Sequence, residues 1–106
     1  MVRILLTLIF LILAGAAKSG CKIDISEFVG WEIIYAGQIT GYIDEAGEIA
    51  DDFDGCEWGR ILIVDYDKTV TCDEYNYSYA YRPEIVVFAD GYDMKACIDD
   101  EIYDLQ

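Results

Sequence analysis

Four cysteines, at positions 21, 56, 72 and 97, constrain this chain more than any other feature. No two lie closer than 16 residues apart, whereas structural zinc sites usually draw their ligands in close pairs such as C-x2–4-C. Zinc is the poorer use for them. Their better use depends on where the chain goes, and the first residues speak to that. Met1-Val2-Arg3 is a short positive start, Ile4 to Leu13 is apolar apart from Thr7, and Ala14-Gly15-Ala16-Ala17 supplies small residues. Those three parts in that order make a secretory signal peptide. A membrane anchor is the competing reading, but the uncharged run from Ile4 to Ala17 is 14 residues, and a spanning helix needs about 20. The expectation is a signal peptide over 1–17, cut after Ala16 or Ala17, and one small domain over 18–106 with no stable membrane span.

In an exported chain an even number of cysteines reads as disulfides. Four cysteines allow three pairings, and sequence alone does not choose among them. The preferred pairing is Cys56–Cys72, flanking one hairpin, with Cys21–Cys97 tying the mature N-terminus to a late strand. A lipid anchor on Cys21 would compete for that sulfur. Ser19-Gly20 are small, as such a site requires, but Lys18 stands where an aliphatic residue belongs. Staples also suit the size: a mature chain of 89 or 90 residues has a small core, and each bridge adds about 2–4 kcal/mol.

Strand signals dominate the rest. Glu32 to Asp44 alternates, with Ile33, Tyr35, Ile39 and Ile43 on one face. Gly37 and Gly41 fall on that face too, which predicts a bend or a close backbone approach. The acidic stretch Asp44 to Glu48, running on into Asp51-Asp52-Phe53-Asp54-Gly55, reads as a surface loop or one short helical turn. Ile61 to Val64 and Thr69 to Cys72 form a hairpin whose first strand is buried on both faces. Glu84 to Ala89 and Tyr92 to Ile98 form another, joined by a type I′ turn at Asp90-Gly91, with Val87 near Met94 and Ile85 near Ala96. Asp99-Asp100 then turns the chain into a last strand, Ile102 to Leu105. Five or six short antiparallel strands predict an all-β fold, a small disulfide-stapled barrel or sandwich.

Composition removes several functions. There is no histidine, so the commonest general base and metal ligand is missing. Asp and Glu number 21 against seven Lys and Arg, a net charge of -14, and losing Arg3 with the signal takes it to -15. Such a chain does not track a phosphate backbone, because nucleic-acid affinity rests largely on Lys and Arg displacing counterions. Ser19, Ser26 and Ser78 have no His to activate them, and there is no Gly-rich phosphate loop. Paired carboxylates can cleave glycosides, but they need a substrate cleft that so small a chain has little material to build. The chain is expected not to be an enzyme and to carry no cofactor.

Tyr75, Tyr77, Tyr79 and Tyr81 recur with period two, so an extended segment places all four on one face. That face either closes the core, leaving Asn76, Ser78 and Ala80 outside, or forms an aromatic platform for a sugar, a peptide or a partner protein. The core reading is favoured, with hydroxyls reaching the rim and one or two rings left free to bind. Arg82 and Arg60 are rare cations here, expected to pair with neighbouring carboxylates. Arg82 has a second option, stacking on a ring of the tyrosine run. Asp51, Asp52 and Asp54, with Glu57, lie close enough in sequence for calcium. Their spacing is not that of an EF-hand, and a solvated turn explains them better. Asp99-Asp100-Glu101 with Asp104 is no more specific.

Asp52 to Ile61 (DFDGCEWGRI), with Val70-Thr71-Cys72, Tyr77 to Pro83 (YSYAYRP) and Asp99 to Asp104 (DDEIYD), resembles a family of small exported bacterial proteins of unknown function. The resemblance covers roughly residues 38–104. It implies export and one β-rich domain, and it carries no activity. The leading expectation is a periplasmic or secreted binding or structural domain, meeting its ligand on the tyrosine face or the acidic loop from Asp44 to Glu57. The alternative is an acidic inhibitor or immunity-type protein steered by its charge onto a basic exported hydrolase such as a lysozyme. A calcium-binding module using Asp51, Asp52 and Asp54 comes third.

Overall fold

β-branched and aromatic residues at alternate positions suit pleated surfaces, and the chain uses them in strands that are mostly short. The computed structural model describes residues 21–106; the expected signal peptide and its cleavage point lie outside the described residues. The strands are β1 (Glu32–Ile43), β2 (Ile49–Ala50), β3 (Phe53–Cys56), β4 (Ile61–Val64), β5 (Lys68–Thr71), β6 (Asn76–Ala80), β7 (Glu84–Ala89), β8 (Met94–Ile98) and β9 (Glu101–Leu105). All pair antiparallel. The fold is all-β and disulfide-stapled, divided more finely than the five or six strands expected.

The larger sheet runs β5-β4-β1-β7-β8-β9, with β2 added on β1. It curls until its two ends touch at one corner. There Cys72 bridges to Leu105, the Gln106 N–H donates to the Thr71 carbonyl at 2.9 Å, and the Asp73 N–H donates to the Asp104 carbonyl at 2.8 Å. The ends pair at this corner only, so the barrel stays open. A second sheet, β3 with β6, is laid against the first. The core between them is built from Ile39, Leu62, Val64, Ile85, Val87, Ile98 and Leu105, with Phe53 from β3 and Tyr103 from β9.

Both disulfides have the favoured pairing, with Cα atoms 5.9 Å apart for Cys21–Cys97 and 5.6 Å for Cys56–Cys72. The Cys21 sulfur is thus used in a bridge, the role preferred for it over a lipid anchor. Cys56–Cys72 ties β3 to the corner where the large sheet closes. Bridging across 16 residues stabilises by about 3 kcal/mol, through the constraint on the unfolded chain.

Several local expectations are corrected. The acidic stretch is a loop only in part: Asp44 to Glu48 is a largely exposed turn and Asp51-Asp52 a bend, but β2 and β3 interrupt it, with Phe53 drawn wholly into the core. β4 buries only Leu62 and Val64; Ile61 and Ile63 on its other face are half-buried, since no second layer covers them fully. In β1 the register shifts between Ile33 and Tyr35 and again between Ile39 and Gly41. Each shift breaks the period of two. Ile33 is exposed while Ile39 is fully buried, so the two do not share one apolar face. The close approach expected at the glycines is found at Gly41, where a Cβ would strike the carbonyl of Ala50.

The β7–β8 hairpin closes through four residues, not two. Ala89 pairs with Met94, so Val87 faces Ala96 and Ile85 faces Ile98. The Asp90 carboxylate accepts from the N–H groups of Tyr92 (2.9 Å) and Asp93 (2.7 Å), satisfying a loop the shorter turn would not have. The shift of two residues leaves every side chain on its expected face. A two-residue turn does appear at Asp99-Asp100, with φ of 50° and 64°, setting Ile98 opposite Glu101.

Candidate binding surface

The tyrosine face is positioned by β3. Phe53 pairs with Ala80 and Asp54 with Tyr79, and the register then shifts before Cys56 meets Asn76. Gly55 makes the shift, at φ 80°, with β6 packed so close that a Cβ there would lie 2.7 Å from the Ser78 nitrogen. Arg60 holds the bulge, donating from one guanidinium nitrogen to the carbonyls of Asp54 and Gly55, each at 3.1 Å. Its other nitrogen lies 3.5 Å from Glu57, the carboxylate pairing that was expected, and its guanidinium covers the Tyr42 ring.

This register turns the tyrosines outward. Tyr75, Tyr77, Tyr79 and Tyr81 are 69%, 62%, 62% and 65% exposed, while Asn76, Ser78 and Ala80 are half-buried on the inner side. The favoured reading, that the rings close the core, is overturned. Phe53 and Tyr103 already fill the space beneath β6, both fully buried and packed edge to face with ring centres 5.6 Å apart. Only small inward side chains fit above them. Ala80 packs on the core, and Ser78 is half-buried on the same inner side.

Polar partners line the ladder. The Tyr77 hydroxyl donates to Glu57 Oε1 at 3.1 Å. Loss of solvent around the ring, then that hydrogen bond, hold its pKa above the ordinary value. Tyr79 is raised as well, first by desolvation and then by Asp52, with Asp51 adding to it. Arg82 takes its second option. Its Nε donates to the Asp51 carbonyl at 3.2 Å, another nitrogen donates to the Tyr66 hydroxyl at 2.8 Å, and the guanidinium lies over Tyr66 and Tyr81. No carboxylate pairs with it among the described ion pairs.

Two aromatic neighbours escaped the sequence reading, Tyr66 and Trp58. Trp58 is 62% exposed beside Glu57 and lines a groove of about 230 Å3 with Asp44, Glu45 and Arg60. Both stand in turns, where no periodicity marks them; the only signal was a large ring outside any strand pattern. Asp51, Asp52 and Asp54 are not brought together as ligands, since no three Asp, Glu or Cys among the described residues converge on a metal position. The second acidic cluster is dispersed in use. Asp100 accepts from the Lys22 N–H, Glu101 from the Tyr103 hydroxyl and Asp104 from the Lys95 ammonium.

Tyr103 under the ladder gives an alkaline signature. Burial first, then its 2.8 Å hydrogen bond to Glu101, raise its pKa well above the ordinary phenol value. A raised pKa stabilises the fold fully below the unfolded value of about 10 and loses that contribution as pH climbs beyond it. Urea midpoints are expected to fall between about pH 9.5 and 11, and to fall less steeply in Tyr103→Phe. Equal slopes in the two proteins would contradict this.

The arrangement offers rings to stack on and carboxylates to pair with. Compared with known proteins, the chain matches no family model, no curated protein and no solved structure. Among the described residues, no helix is long and apolar enough to cross a membrane.

Proposed function

We propose that this chain is an exported, non-enzymatic binding domain whose contact surface is the Tyr75–Tyr81 ladder, extended by Arg82, Glu57 and Trp58. The observation that carries the reading is four exposed tyrosine rings in one run of a small fold, two on β6 and one at either end of it. Each ring can bury 150–250 Å2 against a partner at low entropic cost. The strand is pinned by Cys56–Cys72 and the Gly55 bulge, which pre-organises the ladder before any partner arrives.

Export, to the periplasm or the outside, is supported by the signal-type first 17 residues and by the two disulfides. Non-reducing intact mass of secreted material should show residues 1–16 or 1–17 removed and both bridges formed. Free thiols would count against it.

The surface is tested by retention of co-exported proteins on the immobilised oxidised domain and on a Tyr77→Ala/Tyr79→Ala variant of equal melting temperature. A discrete protein held by the first and lost from the second is expected; equal retention would refute the ladder as the contact surface. The inhibitor reading is favoured by the mature charge of -15 and by the carboxylates at Tyr77 and Tyr79. It requires that the retained protein be a basic hydrolase, released by salt and inhibited in solution.

A further inference from the structure

We propose that the outer edge of β6 accepts an extended cationic segment of a partner protein as an added strand, its Lys or Arg side chains laid over the tyrosine rings. This rests on the ladder being the binding surface. β6 pairs only with β3 among the described residues, so the backbone groups on its far edge have no strand partner. The edge of β9 is in a different condition: the Asp73 N–H takes its Asp104 carbonyl, and the Asp104 N–H is taken by the Glu74 carboxylate. An open edge supplies main-chain hydrogen bonds to any extended peptide, and side chains alongside it select which one.

The selection is written in the ladder. Tyrosines at every second residue repeat at roughly 6.6–6.8 Å, which is also the repeat of same-face side chains on an added strand. Two of the rungs lie by carboxylates: Glu57 accepts from the Tyr77 hydroxyl, and the exposed Asp54 stands directly opposite Tyr79 in the strand pair, with Asp52 close by. Ring and carboxylate together make a site for an ammonium or guanidinium, attracted by the ring face and by the charge beyond it. A neutral sugar would stack on the rings and leave those charges uncompensated. A second copy of this chain would bring Asp52 and Glu57 against their own equivalents on a body of -15, and acidic edges of this kind discourage self-pairing.

The test uses the oxidised mature domain, isotope-labelled, and an alternating Lys-Thr peptide long enough to span Asn76–Ala80. Binding should slow exchange of alternate backbone amides within Asn76–Ala80 and shift the rings of Tyr77 and Tyr79. It should weaken roughly tenfold in Tyr79→Ala, and also in Asp52→Asn/Glu57→Gln, which keeps the rings. The matching Glu-Thr peptide should not bind. Equal binding by a Lys-Thr peptide N-methylated at alternate residues would overturn strand addition, because that backbone cannot pair with the edge. So would cellohexaose shifting the rings where the peptide does not, or amide protection that appears on concentrating the domain alone. In those cases the ladder remains the contact surface if retention still depends on Tyr77 and Tyr79; if retention is also indifferent to them, both readings fall.

Discussion

Replacing Gly55 with valine is expected to destabilise the protein by about 4 kcal/mol and to free β6 from β3. Two effects add. The φ of 80° lies in the left-handed region, where a β-branched residue is a genuine outlier. A Cβ would also lie 2.7 Å from both the Ser78 nitrogen and the Tyr77 Cα, and backbone atoms inside a strand pair cannot step aside. Gly91 provides the control. Its φ is 97°, yet nothing lies within 4 Å of the position a Cβ would take, so Gly91→Ala should lose only about 1–2 kcal/mol. Urea unfolding separates the cases. A Gly55→Val midpoint like that of Gly91→Ala would mean that β3 and β6 do not pack this closely.

Tyr103→Ala is the second large effect, about 3–5 kcal/mol. The ring is fully buried, meets Phe53 edge to face, and comes from β9 of the large sheet while Phe53 comes from β3 of the small one. Truncation therefore opens a cavity between the layers, directly beneath the tyrosine ladder. Phe53 is left without its partner, and Glu101 loses the hydroxyl that donates to it. Tyr103→Phe keeps the ring and should lose only about 0.5–1.5 kcal/mol at neutral pH. If the alanine and phenylalanine variants unfold at the same urea concentration, the ring is not holding the layers together.

What the sequence made legible followed from short-range rules. Cysteines flanking the β4–β5 hairpin paired as preferred, the strand pairs β4–β5 and β8–β9 formed where alternation and turn residues placed them, and β7–β8 formed from the expected strands with its register moved by two residues. Errors arose where a contact distant in sequence decides. Period two showed that Tyr75 to Tyr81 share a face, but which face is inward depends on Phe53 and Tyr103 occupying the space below. The alternation in β1 survives only from Tyr35 to Gln38, between the two register shifts, because bulges let one long strand pair with β7 along its first half and with β4 along its second. Phe53 stood among four acidic residues, which made its segment look like a loop; burial of its ring, with Gly55 and Cys56 beside it, makes the segment a strand. Arg82 stacks where a carboxylate pairing was expected, because the turn leading into β7 sets it between Tyr66 and Tyr81.

The outward tyrosine ladder is the claim on which the rest stands, and hydroxyl-radical footprinting of the oxidised domain, read residue by residue by mass spectrometry, tests it most directly. Tyr75, Tyr77, Tyr79 and Tyr81 should oxidise about as readily as Tyr92, which is almost wholly exposed, with Tyr103 protected until the fold is unfolded in urea. Protection of Tyr77 and Tyr79 to the level of Tyr103 would contradict the account, placing the rings in the core and removing the surface on which binding is proposed.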